Sequence, residues 1–195
     1  MNAKEMEEYR AERRKKIIIA ARKCFEEKGL HGTSMMDIAR ATSLGAGQIY
    51  RCFSSKEEIV KEIVQEIVFQ RVKNMILENH NLPLKAYKLA SDETTINVSD
   101  QDDALLMEIH AESSRNKALL DILLEADDEM KKQGVMMMKN HFPGLSEEKL
   151  LALCEIIAVL TEGAIYRKRL RSSLINQKVL EELYCKIFNN IFNED

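Results

Sequence analysis

Only 7 Gly and 2 Pro interrupt 195 residues. A chain with so few backbone punctuators folds as helices joined by short turns. The apolar residues agree. Ile17, Ala20, Ala21, Cys24 and Phe25 recur at offsets 0, 3, 4, 7 and 8. Leu180, Leu183, Tyr184, Ile187, Phe188, Ile191 and Phe192 fall at 0, 3, 4, 7, 8, 11 and 12. Both series trace one side of a helix with about 3.6 residues per turn, so the fold class is all-α.

Helix ends can be placed from their capping chemistry. The first helix begins within the charged run Lys4 to Lys16 and stops at Gly29, a C-terminal glycine. Thr33 and Ser34 stand before Met35-Met36-Asp37-Ile38-Ala39-Arg40-Ala41, where a hydroxyl satisfies one free N–H of the new helix. After Thr42-Ser43-Leu44 a short helix runs from Gly45 to Phe53. Ser54 and Ser55 then cap a long helix that opens with Glu57 and Glu58 and reaches about Asn79. Two short helices across a tight turn, after a longer one, make the helix-turn-helix layout. Ile38, Leu44, Ile49 and Phe53 are its inward residues. Beyond Asn81–Pro83, helices are expected over 84–89, 104–114, 117–140 and 146–166, with a polar loop from Ser91 to Asp100. The helix over 146–166 is apolar nearly all round, which predicts a central position.

Net charge is −3, and its distribution matters more than its sum. Residues 1–61 hold 13 Lys/Arg against 9 Asp/Glu, or +4; the remainder holds 16 against 23, or −7. A basic head on an acidic body suits a DNA-binding domain joined to a regulatory one. Cys24, Cys52, Cys154 and Cys185 stand far apart and are read as reduced thiols. His31, His80, His110 and His141 add no structural-zinc spacing, so no metal and no cofactor is expected. The polar, acidic start and the lack of a long apolar run predict a cytoplasmic protein with no membrane partner.

The stretch TSMMDIARATSLGAGQIYRCFSSKEEI (33–59) resembles the helix-turn-helix of the tetracycline-repressor (TetR) family. The upstream IIIAARKCFEEKGLHG (17–32) is similar to that family's first helix and turn. The T-S-x-x-D-I-A start, the G-x-I-Y-x-x-F helix and the S-K-E-E opening are the specific elements. LLMEIHAESSRNKAL (105–119) and LTEGAIYR (160–167) are similar to elements of the family's regulatory domains. The resemblance implies about nine helices. A three-helix DNA-binding domain over 1–61 would precede a helical effector-binding and dimerisation domain over 62–195. Three positions depart from the pattern. Ser43 stands where the turn usually has Gly, so its backbone is expected to be left-handed or strained. Gly45 replaces a hydroxyl residue, and Ala46 replaces a polar one.

Such a protein would be a bacterial repressor, released from a palindromic double-stranded DNA operator by an unidentified small-molecule effector. Phosphates supply most of the affinity and base edges the sequence information. Thr33, Ser34, Tyr50 and Lys56 are the candidate phosphate ligands, with Arg13, Arg14, Lys15 and Lys16 as a further basic run. Gln48 is the candidate base reader, because its amide matches an adenine edge. Arg51 suits a guanine or a phosphate, while Thr42, Ser43, Ala46 and Gly47 complete the outward surface. Met107, His110, Met136, Glu155, Glu162 and Tyr166 are the candidate effector residues, and the two carboxylates lean toward a cationic ligand. Leu180, Leu183, Tyr184, Ile187, Phe188 and Ile191 are the candidate homodimer contacts. The long helix from Ser55 is the natural lever between head and body. An enzyme lacks its motifs here: no G-x-G-x-x-G, P-loop, H-E-x-x-H or G-x-S-x-G occurs. A metal sensor using Cys154, His110 and His141, and an adaptor that has lost DNA binding, are the other readings.

Overall fold

The computed structural model describes residues 2–78, 81–91 and 100–192. Among these, nine helices and no strand occur. They are α1 (Ala3–Gly32), α2 (Met35–Thr42), α3 (Ala46–Tyr50), α4 (Lys56–Glu78), α5 (Leu82–Ala90), α6 (Asp100–Ser113), α7 (Lys117–His141), α8 (Glu147–Lys168) and α9 (Gln177–Phe192). The expected loop over 91–100 falls largely on 92–99, and the expected helix end at Asn79 also lies outside the described residues.

Two compact units divide the chain, and the division is not a single cut. The first holds residues 1–67 and 101–126, the second 68–100 and 127–195. The expected boundary at 61/62 therefore leaves out of the head a segment, α6 with the start of α7, that clusters with it. Polar ties account for this. Glu108 of α6 accepts the Leu30 N–H at 2.6 Å, Arg22 of α1 pairs with Asp102, and Asn116 donates to Glu57 of α4 at 3.4 Å.

In the first unit Ile17, Ala21, Cys24 and Phe25 are buried as their spacing predicts, Ala20 is half-buried, and Ile18 is buried outside that series. Ile38, Ile49 and Phe53 join them, and Leu44 is half-buried. Burying a side chain of this size contributes about 1.5–3 kcal/mol, which holds two short helices that neither length nor propensity would stabilise alone. Gly29 adopts φ +76°, so the regular helix ends there although a further turn carries α1 to Gly32.

In the second unit Ala86, Leu89, Met138, Leu150, Leu153, Cys154, Ala164, Phe188 and Phe192 form one buried cluster. Phe142 stacks on Phe192 with centroids 5.3 Å apart. Gly134 permits a close approach of α7 to α8, since a Cβ there would stand 2.9 Å from Cys154 Sγ. Helix α8 is not enclosed, contrary to its all-round apolar composition. Leu151, Ile156, Val159 and Tyr166 are exposed, because α5 and the close approach of α7 cover only part of it.

Ser43 takes φ 55°, ψ 22°, the left-handed conformation expected where a glycine is usual. An L-residue there pays about 1–2 kcal/mol, partly recovered because serine has the less flexible unfolded chain. Ser43→Gly is expected to raise stability by about 0.5–1 kcal/mol in urea unfolding. An unchanged or lower midpoint contradicts that strain.

Candidate nucleic-acid interface

The turn between α1 and α2 is closed from inside. Thr33 is 1% exposed, and its hydroxyl proton is shared between Gly29 O at 2.8 Å and Cys24 O at 3.0 Å. Lys56, on the first turn of α4, donates to Leu30 O at 2.6 Å and Thr33 O at 3.0 Å. These carbonyls follow the left-handed Gly29 and cannot pair within a helix, so the ammonium supplies their partner. The side chains of Thr33 and Lys56 thus direct their polar groups at backbone carbonyls and hold the motif together. Arg14 is engaged within the fold in the same way. It pairs with Glu62, donates to Cys52 O, and lies 4.0 Å over the Phe53 ring. Of the remaining basic run, Arg13 stacks on Tyr9 and Lys16 pairs with Glu12, while Lys15 is exposed.

Helix α2 opens with a capping box. The Ser34 hydroxyl accepts the Asp37 N–H at 3.2 Å, and Asp37 accepts the Ser34 N–H at 2.9 Å. Lys28 adds a 2.6 Å ion pair to the same carboxylate. These contacts, Lys28 first, hold the Asp37 carboxyl well below the usual range. Because the folded state lowers this pKa, its contribution is complete above about pH 4 and is lost as pH falls below it. Thr42 donates to Ala39 O at 3.0 Å and to Ile38 O at 3.2 Å, and its oxygen takes the Leu44 N–H at 3.4 Å. Its hydroxyl shapes the turn and is not free to read DNA.

What stays outward is compact in sequence. Ser34, Ser43, Gly47, Tyr50 and Arg51 are exposed, Tyr50 to 56%. Gln48 is half-buried, and its side-chain oxygen accepts the Gly45 N–H at 3.3 Å, so it caps α3 from within the helix. Ala46 opens α3. A Cβ added to Gly45 or Gly47 would meet nothing within 4 Å, so nothing in this chain's packing requires their smallness. Arg40 is a group that sequence reasoning passed over. Its side chain is 75% exposed, with one loose contact to Asp37 at 3.7 Å. Its position near the end of α2, one turn before the left-handed Ser43, was the available signal.

The effector candidates are scattered. Met107 is half-buried and His110 exposed in the first unit. In the second, Met136 is 57% and Tyr166 50% exposed, and Glu155 and Glu162 face solvent. Glu155 pairs with Lys131 at 3.3 Å. These four do not line an interior site, and the lean toward a cationic ligand loses its basis. The dimer candidates divide too. Phe188 is fully buried in its own chain's core, and Leu180, Tyr184 and Ile191 are half-buried. Leu183 and Ile187 are exposed, in line with Val179, which the sequence reading omitted. Helix α9 carries two apolar rows, one spent on its own core, and a single broad stripe cannot separate them. Among the described residues no three His, Cys, Asp or Glu side chains group as metal ligands. Burial pushes the Cys24 and Cys154 thiols up. No described helix is long and apolar enough to cross a membrane.

Residues 17–63 match the family model described as bacterial regulatory proteins, tetR family. The head of the chain is similar to members of that family. Its sequence is 32% identical over 106 residues to the transcriptional regulator UidR of Escherichia coli K12. That match spans 53% of this chain and 53% of UidR, about half the length of the relative. Salmonella enterica GusR has the same fold at 21% identity and TM-score 0.66, covering 93% of this chain and 95% of GusR. A protein from Saccharomonospora viridis solved in complex with choline is similar at 16% identity and TM-score 0.66, over 94% and 97% of the two chains. The likeness of fold to these solved structures extends along nearly the whole chain, whereas the family model stops at the head.

Two expectations follow from the split between clasp and surface. In acid titrations the thermal midpoint of the parent should fall below about pH 4 more steeply than that of Asp37→Asn, and parallel curves would contradict the role given to Asp37. Lys56→Met should lower stability by about 2 kcal/mol, the scale of hydrogen bonds from a charged group. Its salt slope of DNA binding should stay unchanged, whereas Arg51→Met should reduce that slope by about 1. A reduced slope for Lys56→Met would return that residue to the phosphate contacts.

Proposed function

We propose that this chain is a homodimeric, sequence-specific DNA-binding transcription regulator that represses from a palindromic operator and is released by a small ligand. The observation that carries the reading is the outward row itself. Tyr50 and Arg51 are exposed at the end of α3, Ser34 caps α2 and Arg40 lies on it, and open space surrounds Gly45 and Gly47. An exposed tyrosine supplies a hydroxyl to a phosphate, and an arginine supplies a forked donor to a phosphate or guanine. Glycines without packing duties leave room for the wall of a groove. The family match over 17–63 supports DNA as the partner. A protein occupying its operator blocks access to the DNA beneath, which supports repression as the mode.

The dimer is supported by apolar surface left open in the second unit. Val179, Leu183 and Ile187 form an exposed row along α9, and Ile156, Val159 and Tyr166 are exposed on α8 with Gly163 between them. Exposed apolar rows of this kind are what a partner-binding face presents. Two-fold symmetry would set two recognition helices about 34 Å apart, one DNA turn, and so require a palindrome. The switch rests on linkage. A ligand that prefers one head spacing must weaken operator binding if the operator prefers another. Helices α4 and α7 each contribute residues to both units, which makes them the candidate levers.

Fluorescence anisotropy against DNA upstream of the chain's own and neighbouring genes, at several salt concentrations, tests the reading. Saturable binding to a palindromic segment well above bulk DNA is expected, and binding no tighter than to random DNA contradicts it. Leu183→Glu should convert dimer to monomer in sedimentation velocity and weaken operator binding at least about tenfold. A dimeric Leu183→Glu variant would move the interface off this face.

A further inference from the structure

Helix α8 has two apolar faces, and its own chain uses one of them. Leu150, Leu153, Cys154 and Ala164 are buried in the cluster of the second unit. On the opposite side Ala152, Ile156, Val159, Gly163 and Tyr166 fall at offsets 0, 4, 7, 11 and 14, and all five are exposed. Leu170, 70% exposed, continues the series at offset 18 in the turn that closes the helix. Alternating steps of four and three are the spacing by which one helix meets another along a narrow line. Gly163 stands out in this row. A glycine inside a helix weakens it, and a Cβ here would meet nothing within 4 Å, so the chain's own packing gives no reason for one. Close approach of a second backbone does.

The sizes along the row fix how a second copy fits. In a parallel pair each residue meets itself, so glycine would face glycine and tyrosine would face tyrosine, a hole beside a clash. In an antiparallel pair Val159 faces Gly163 of the partner subunit, Ile156 faces Tyr166 of the partner subunit, and Ala152 faces Leu170 of the partner subunit. Large residues then meet small ones in the layers that hold Gly163 and Ala152. The charges beside the row agree. Glu155 and Asp127 share the single ammonium of Lys131, at 3.3 and 2.7 Å, which leaves one negative charge over. Arg169 caps α8 with helical backbone angles, is exposed, and has no partner among the described residues. It lies two heptads after Glu155 on the same side of the row, so antiparallel packing carries it to Glu155 of the partner subunit. We infer that α8 docks antiparallel on α8 of a second copy, with Val159 against Gly163 of the partner subunit and Glu155 against Arg169 of the partner subunit. The inference rests on the proposed dimer and adds its sense, its register and the charges that select it. Glu162 lies midway between Glu155 and Arg169. The same register therefore sets it beside Glu162 of the partner subunit, a like-charge contact on the two-fold axis that limits how tightly the copies hold.

Sedimentation equilibrium of the full chain tests this through charge reversal. Glu155→Lys and Arg169→Glu should each raise the dimer dissociation constant at least about tenfold, because each change acts twice in a symmetric pair. Mixing the two variants should bring that constant back to within about threefold of the parent, since every contact between 155 and 169 in the mixed dimer joins opposite charges. A defect confined to either chain would survive mixing. Glu162→Gln should tighten the dimer roughly threefold at low salt, with the gain fading at high salt. Gly163→Leu should break the dimer while circular dichroism shows its helix content kept. The inference is overturned if either reversal leaves the dimer intact, if mixing restores nothing, if Glu162→Gln makes the dimer no tighter, or if Gly163→Leu dimerises like the parent. A parent dimer that Leu183→Glu breaks and these variants do not sinks the α8 register and keeps the dimer. A parent that stays monomeric at every concentration sinks both.

Discussion

The head of this molecule depends on how one turn is closed. Gly29 leaves the helix with a positive φ, and the carbonyls that follow have no intrahelical donor. Lys56 provides it to Leu30 O and Thr33 O, the Thr33 hydroxyl donates to Gly29 O itself, and Glu108 takes the Leu30 N–H at the same place. A buried polar backbone group left unmade costs about 1–3 kcal/mol, so this set of bonds decides whether α2 has a fixed start. Once α2 is fixed, its capping box and the left-handed Ser43 set where α3 begins. The recognition surface is thus held by residues that do not belong to it.

That arrangement explains which parts of the molecule were legible from sequence. Helix number and most boundaries were, because capping residues and glycine stops are local chemistry that the tertiary fold does not override. The strained turn at Ser43 was legible too, since a position that asks for glycine declares its backbone. The direction of polar side chains was not. Thr33 and Lys56 belong to the matched motif, yet a motif match does not separate a hydroxyl or ammonium that faces DNA from one that faces a backbone carbonyl of its own fold. The partners of Arg14 were hidden for the same reason, because a basic run says nothing of the acidic face of α4 beside it.

The body was less legible still. Helix α8 is apolar on nearly every side, which reads as central but equally describes a helix with one face in its own core and another left open. The stripe on α9 hid a similar division between Phe188, spent inside the chain, and Leu183, which is not. Periodicity reports which residues avoid water, not whose surface removes them from it.

The central claim is that Ser34, Arg40, Tyr50 and Arg51 form the DNA face while Thr33, Lys56 and Glu108 clasp it from behind. Hydrogen exchange of the full chain, free and bound to DNA from upstream of its gene, tests this most directly. The account predicts added protection confined to residues 34–51, with the turn at 29–33 already protected in the free protein. Fast exchange of that turn in the free protein, or DNA-induced protection centred outside 34–51, would contradict it.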